Sequence, residues 1–172
     1  MKKPVYCQQC GSLLKEAHYG GRMRLACSSD TCDYIFWNNP VTIVAAIVEY
    51  EGNVVLVRSI GWPEGWYGLV TGFLESGEMP DEAVQREVKE ETGLDILEYN
   101  YIGMYPFYRM NQLIIAYHVK AKGQVTLDTT ELEAYKLVPI EKVRPWGSGT
   151  GYALQDWLRS RGIEKEVIPF GN

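Results

Sequence analysis

The chain has 172 residues, of which 46% are hydrophobic and 12% aromatic, so it is long enough for one globular domain with its own core and a small additional unit. Its formal net charge of -5 argues against a broad nucleic-acid-binding surface and suits cation binding. The longest apolar run, residues 41–48, is far shorter than the roughly 20 residues of a membrane helix, and no signal peptide is visible, so we expect a cytoplasmic protein without membrane contact.

Four cysteines lie in residues 1–36, a segment too short to bury a core of its own. They are Cys7, Cys10, Cys27 and Cys32. Two close pairs at this separation are typical of zinc ribbons, in which four thiolates bind one structural Zn²⁺. Two disulfide bonds are the alternative, but without a signal peptide reduced thiols are the expected state. We predict a zinc ribbon at residues 1–36, whose role in domain packing, dimerisation or nucleic-acid contact stays open.

A β-hairpin is the next predicted element. Residues 41–48 and 54–57 are rich in β-branched side chains, and Glu51-Gly52-Asn53 between them carries turn chemistry. Residues 66–73 indicate a further strand that ends in a glycine-bearing loop.

The clearest predicted helix is Pro80–Glu91. Pro80 suits the first helical position, and the acidic residues after it complement the positive end of the helix dipole. Gly93 can take the left-handed conformation that ends a helix. Met79 is a poor N-cap residue, so the start of this helix departs from the usual pattern.

Strand-like sequence returns after this helix, and a last helix follows it. The strands are predicted at 94–104, 113–120 and 135–138. The second helix starts near Ser148-Gly149-Thr150 and would dock through the apolar pairs Ala153/Trp157 and Leu154/Leu158. We therefore predict an α+β protein with a main domain at 38–145 and a C-terminal helix and tail at 146–172.

Three glutamates crowd one face of the predicted helix. Glu87, Glu90 and Glu91 fall within a sector of roughly 100°. Like charges at this spacing destabilise a helix, and the negative end of the dipole adds to the penalty. A bound cation removes both penalties, and carboxylates with open water positions suit Mg²⁺ or Mn²⁺. A solvated charge run is the alternative for this helix taken alone.

The sequence around these glutamates resembles the Nudix box. It reads Gly72, five residues, Glu78, seven residues, then Arg86-Glu87-Val88-Lys89-Glu90-Glu91-Thr92-Gly93-Leu94. This order matches the box at every specified position. The resemblance implies an α/β/α sandwich around a mixed β-sheet, with the zinc ribbon on its N-terminal side. It also implies Mg²⁺-dependent hydrolysis of the diphosphate linkage in a nucleoside diphosphate joined to another moiety.

The resemblance assigns roles to individual residues. The metal ligands of the family correspond to Glu87, Glu90 and Glu91, which are also the expected catalytic carboxylates, and Gly72 would let the backbone pass close to the metal. Glu78 and Arg86 would form a pair that holds the loop against the helix. Related enzymes often place a further ligand or base downstream, and here Glu131 is favoured over Glu133, although a glutamate of the helix is an alternative base.

A zinc ribbon ahead of a Nudix domain is similar to the NADH pyrophosphatase branch of the family. The downstream motif of that branch is missing, because residues 103–111 agree with it only at Pro106-Phe107 and a preceding aromatic. NADH or NAD, ADP-ribose, nucleotide sugars and dinucleotides are therefore equal candidates as substrate.

Two other classes of function stay open from the sequence. One is a nucleotide- or nucleic-acid-binding regulator, and the other is a pyrophosphohydrolase of RNA 5′ ends. We expect a nucleotide-type small molecule as partner, do not favour nucleic acid, and leave open a homodimer.

Overall fold

The computed structural model describes residues 3–170 of a chain that divides into two compact units, Met1–Pro40 and Val41–Asn172. The first unit contains a three-stranded antiparallel sheet. Its strands, in sheet order, are β1 (Leu14–Tyr19), β2 (Arg22–Cys27) and β3 (Ile35–Phe36). Gly20 and Gly21 both have positive φ angles, 56° and 74°, which close the β1–β2 hairpin tightly.

The second unit is built on a six-stranded mixed sheet. Its strands are β4 (Val41–Tyr50), β5 (Asn53–Ser59), β6 (Val70–Phe73), β7 (Asp95–Phe107), β8 (Gln112–Lys122) and β9 (Leu132–Pro139). They run in the order β7-β8-β4-β5-β9, and β6 pairs with β4. The central pair β4–β8 is parallel and the other pairs are antiparallel. The long apolar strand β4 therefore lies at the centre of the sheet, where both of its faces are covered.

Two helices cover the two faces of this sheet. Helix α1 (Pro80–Thr92) buries Val84 and Val88 against one face, and helix α2 (Thr150–Ser160) buries its apolar side against the other. The residues that dock α2 are Ala153, Leu154, Trp157 and Leu158. The predicted α+β class and the α/β/α arrangement are confirmed. The domain boundaries at 36 and 145 stay predictions.

The predicted hairpin and the ends of the first helix are confirmed in detail. Glu51 and Gly52 have φ angles of 49° and 75°, the left-handed pair that matches the twist of a two-residue hairpin. At the start of α1 the Met79 N–H donates to the Glu82 carboxylate at 2.9 Å, so Glu82 supplies the cap that Met79 lacks. At its end Gly93 adopts a φ of 71°.

The strand predicted at 66–73 is wrong in its first half, since β6 covers only Val70–Phe73. The chain is still turning before that point. Gly65 has a φ of 88°, and the Trp66 N–H bonds back to the Pro63 carbonyl at 3.1 Å. Gly68 then makes only an isolated bridge to Val57. Across residues 3–170, neither helix has the length and hydropathy to cross a membrane.

A matched pair of leucine truncations tests the packing of α2. Leu154 is 0% exposed, whereas Leu97 on β7 is 61% exposed. We expect Leu154→Ala to lower the free energy of unfolding by about 2–5 kcal/mol, because it opens a cavity between α2 and the sheet. Leu97→Ala should change it by less than about 1 kcal/mol. Urea unfolding of both variants measures the difference, and equal losses would contradict this packing.

Candidate functional site

The three clustered glutamates of α1, Glu87, Glu90 and Glu91, do not share one environment. The side chain of Glu87 is 12% exposed and Glu91 as a whole is 6% exposed, whereas the Glu90 side chain is 58% exposed. Val84 and Val88, beside them on the helix, are fully buried in the core and fix its rotation. The carboxylate cluster therefore lies at the rim of the core rather than out in bulk water.

Glu91 is a buried carboxyl that forms no ion pair with residues 3–170. Its Oε2 atom has no hydrogen-bond partner among the described residues. Burial raises the pKa of Glu91 to about 8, and the charges of Glu87, Glu131 and Asp128 add to the shift. A group in this situation is stabilised by any cation that reaches it.

Arg86 contacts more carboxylates than the single partner, Glu78, that the sequence motif predicts. Its guanidinium donates to both oxygens of Glu78, at 2.8 and 3.0 Å, which pins the preceding loop to the helix. It also donates to Glu87 at 2.7 Å and to Glu90 at 3.0 Å, and to the Phe73 carbonyl at 3.1 Å. Arg86 thus pairs with two of the residues expected to bind the metal, a contact that the motif does not indicate.

Gly72 lies on β6 directly beside the carboxylate of Glu87. A Cβ atom at this position would overlap the Glu87 carboxylate group. The glycine is therefore required for space and not for an unusual backbone angle. Its backbone pairs in register with Val44 of the central strand, which holds it in place.

The loop between β8 and β9 is tied to the end of α1. The Thr126 N–H donates to the Thr92 carbonyl at 2.8 Å, and the Asp128 N–H donates to the Glu91 carbonyl at 3.2 Å. Asp128 in turn accepts bonds from the N–H and hydroxyl of Thr130, at 2.8 and 2.7 Å. These bonds fix the course of the chain into Glu131.

The two downstream glutamates, Glu131 and Glu133, lie in different electrostatic environments. The charge of Glu131 raises the pKa of both Glu87 and Glu91, after the larger effect of burial, so Glu131 lies within the field of the cluster. Glu133 instead pairs with Arg58 at 3.2 Å. The local sequence gives no basis for choosing between Glu131 and Glu133, because their different contacts arise at the start of strand β9.

Asp128 is a residue of this site that sequence reasoning missed. It contributes to the raised pKa of Glu91, and it forms the turn that leads to Glu131. The signal available in the sequence is Asp128-Thr129-Thr130, since an Asp followed by Thr two positions later favours a turn closed by the side chain.

The donor set near α1 suits a hard divalent cation. It consists of carboxylates. Among residues 3–170, Glu91 has a buried oxygen without a hydrogen-bond partner, and Gly72 leaves room beside the Glu87 carboxylate. The carboxylates are not yet arranged around one point, because Arg86 holds Glu87 and Glu90. Arg86 engages one oxygen of each of these carboxylates, Oε1 of Glu87 and Oε2 of Glu90.

The four cysteines already have the geometry of a zinc site. Among residues 3–170 they form the one group of three or more potential metal-binding side chains whose donor atoms all lie within 4.8 Å of one another. The Sγ atoms of Cys7 and Cys32 are 3.7 Å apart, and those of Cys10 and Cys27 are 3.4 Å apart. Tetrahedral Zn–S bonds of about 2.3 Å place sulfur atoms about 3.8 Å apart. All four are free thiols, so the structure favours the ribbon over disulfides.

Comparisons with known proteins identify a family and relatives of this chain. Residues 38–157 match the NUDIX domain model. The NAD-capped RNA hydrolase NudC of Pseudomonas entomophila is 22% identical over 169 residues, which cover 95% of this chain and 60% of that protein. The chain therefore spans less than two thirds of the length of this relative.

Solved structures share the fold. A NUDIX hydrolase from Nitrosomonas europaea has a TM-score of 0.72 and 22% identity, covering 96% of this chain and 99% of that chain. An ADP-ribose pyrophosphatase from Streptococcus suis has a TM-score of 0.59 and 21% identity, covering 75% and 98% of the two chains. At this level of identity the likeness extends to the fold.

The buried carboxylate of Glu91 predicts how stability depends on pH in metal-free protein. Its folded-state pKa of about 8 lies above the ordinary value of 4.5, so the folded protein holds this proton more tightly than the unfolded chain. The free energy of unfolding should therefore fall as pH rises from about 5 to about 8. Glu91→Gln should remove most of this slope, and saturating Mg²⁺ should reduce it in the unchanged protein.

Glu90→Gln is the control, because the Glu90 side chain is exposed. Thermal unfolding across this pH range, with a chelator too weak to remove zinc, measures all three proteins. A slope that survives Glu91→Gln unchanged would show that Glu91 is ionised at ordinary pH in the folded state.

Proposed function

Because the chain belongs to the NUDIX domain family, we propose that it is a metal-dependent hydrolase that cleaves the diphosphate of a nucleoside diphosphate joined to another moiety. The observation that carries this proposal is the buried carboxyl of Glu91, whose Oε2 atom has no hydrogen-bond partner among residues 3–170 and whose pKa is raised by burial and by the nearby Glu87. A protein that only senses a nucleotide has no need for a buried carboxyl of this kind beside further acidic residues. The intact acidic set therefore favours an enzyme over a regulator.

In the proposed mechanism α1 provides the metal ligands. Glu87, Glu90 and Glu91 would hold Mg²⁺ or Mn²⁺, with the backbone at Gly72 passing beside it. The bound ion supplies charge neutralisation for the diphosphate and lowers the pKa of a coordinated water. Arg86 pairs with Glu87 and Glu90 and makes a bidentate contact with Glu78, so it would hold these carboxylates in place around the ion.

Glu131 is the proposed proton acceptor. It precedes β9 on a loop whose course is fixed by bonds to α1, and its charge acts on Glu87 and Glu91. A carboxylate beside a metal-bound water can accept the proton released during attack on phosphorus. Glu133 is engaged by Arg58 and is not assigned this role.

The proposed substrate class is based on the relatives and on the residues that stand where the NADH pyrophosphatase motif is missing. The relatives include proteins named for NAD-capped RNA and for ADP-ribose. In this chain Tyr105 donates its hydroxyl proton to Asp156 at 2.9 Å, and both Tyr105 and Phe107 pack against the core on the α2 side. These aromatics are therefore structural, and NADH or NAD, ADP-ribose, nucleotide sugars and dinucleotides are all retained as substrates.

The ribbon is proposed to bind one structural Zn²⁺ through four thiolates. Closed tetrahedral sites of this kind stabilise a fold and take no part in catalysis. Free thiols at all four positions suit a reducing compartment, in keeping with the expected cytoplasmic location.

A substrate panel tests the proposed reaction. The purified protein is incubated with Mg²⁺ and with NADH, NAD, ADP-ribose, a nucleotide sugar, a dinucleoside polyphosphate and a nucleoside triphosphate, and products are identified by mass. We expect release of a nucleoside monophosphate from at least one substrate in which a diphosphate joins two moieties. Turnover should stop when Mg²⁺ is omitted and in Glu91→Gln. Mg²⁺-independent turnover, or full activity of Glu91→Gln, would overturn the proposal.

Two neighbouring glutamates provide a matched test of the base. We expect Glu131→Gln to lower kcat about 100-fold, because it removes the proton acceptor, with little change in KM. Glu133→Gln removes the same charge two residues away and should keep kcat within about twofold, since it loses only a surface ion pair. Steady-state kinetics on the best substrate measures both variants. Equal kcat values for the two would assign the base to another residue.

A further inference from the structure

One face of the small N-terminal sheet carries positive charge and aromatic rings together. Side chains alternate between the two faces of a strand, and the register pairs Tyr19 with Arg22 and Ala17 with Arg24. Lys15 lies on the same face, opposite Ala26. We call this surface the basic face. Its members are Lys15, Tyr19, Arg22, Arg24 and Trp37.

The two aromatic rings of the basic face are accessible. Trp37 is 48% exposed and Tyr19 is 43% exposed. Arg24 fixes Trp37 in place, because its guanidinium lies 4.6 Å from the centre of the indole ring and donates to the Trp37 carbonyl at 2.5 Å. A flat ring held in one orientation loses little freedom when a ligand stacks on it.

The charge of the basic face is not balanced by carboxylates. Within the part of the chain that the structure describes, Lys15, Arg22 and Arg24 form no ion pair. The acidic strand residue Glu16 lies on the opposite face, opposite Leu25. The net charge of the chain, -5, conceals this local positive surface.

We propose that the basic face binds single-stranded nucleic acid. The cations would contact backbone phosphates, and Tyr19 and Trp37 would stack on unpaired bases, which is how sequence-tolerant single-strand binding is built. A second copy of the chain is a poor occupant, since a two-fold contact would place these three cations against the same three cations. Duplexes are also excluded as the preferred ligand, because their bases are already stacked on each other.

A labelled RNA without any diphosphate tests this surface apart from hydrolysis. We choose a single strand of about 12 nucleotides with a 5′-hydroxyl end, which matches the site size of small single-strand binders. Binding is measured by fluorescence anisotropy from about 50 to 200 mM salt. Three phosphate contacts predict a slope of log K against log salt of about -2. The same sequence as a duplex should bind at least fivefold more weakly.

Charge-matched variants locate the binding surface. Lys15→Gln with Arg22→Gln should weaken binding about tenfold and reduce the magnitude of the salt slope by about 1.4, since two phosphate contacts are lost. Lys122→Gln with Lys142→Gln removes the same charge from exposed positions of the second unit and should change binding less than twofold. Trp37→Leu should weaken binding about tenfold, whereas Trp37→Phe retains a ring and should recover most of the affinity.

Zinc analysis, near one ion per chain, and an unchanged thermal unfolding midpoint confirm that each variant is folded. Equal effects of the two double variants, equal binding of the duplex, or a change of oligomeric state in Lys15→Gln/Arg22→Gln without loss of RNA binding would each overturn the proposal. Because the RNA probe has no diphosphate, the binding test stays valid even if the protein is not a hydrolase. Equally, failure of the RNA-binding proposal does not affect the test of hydrolysis.

Discussion

The concentration of negative charge at the end of α1 is the constraint on which the second unit depends. Glu87 and Glu91 are largely buried there, and the carbonyl end of the helix adds its own negative potential. Arg86 is a single cation shared among Glu78, Glu87 and Glu90, and it does not reach the free oxygen of Glu91. The folded protein therefore holds a buried carboxyl whose pKa is raised to about 8, and a bound divalent ion would favour its ionised form.

The surrounding fold holds this charge in position rather than relieving it. The core residues Val84 and Val88 prevent α1 from rotating Glu91 into solvent. Gly72 leaves room beside the Glu87 carboxylate. The bond from the Asp128 N–H to the Glu91 carbonyl holds the loop before β9 against the end of α1. Each contact is modest in energy, but together they keep the carboxylates desolvated, which strengthens their interaction with a metal ion.

Periodicity and turn chemistry predict most helices and strands of the second unit, but they predict neither the strands β1, β2 and β3 nor the side-chain ion pairs. The hairpin turn at Glu51-Gly52 and the end of α1 at Gly93 follow from residue types that tolerate positive φ. The strand β6 was predicted too long, because aromatic residues after Gly65 suit a turn packed on the core as well as a strand. The contacts of Arg86 with Glu87 and Glu90 depend on rotamers and on desolvation, neither of which local sequence specifies.

Net charge was the least informative sequence property, for a physical reason. Electrostatic contact acts over about one Debye length, roughly 8–10 Å in physiological salt, so a ligand responds to a local patch rather than to the whole-chain sum. In this protein the acidic residues concentrate around α1, whereas Lys15, Arg22 and Arg24 share one face of a small sheet. A phosphate-rich ligand would meet these two surfaces differently. The basic face offers cations, whereas the α1 cluster would attract phosphate only with a bound metal ion that reverses its local charge.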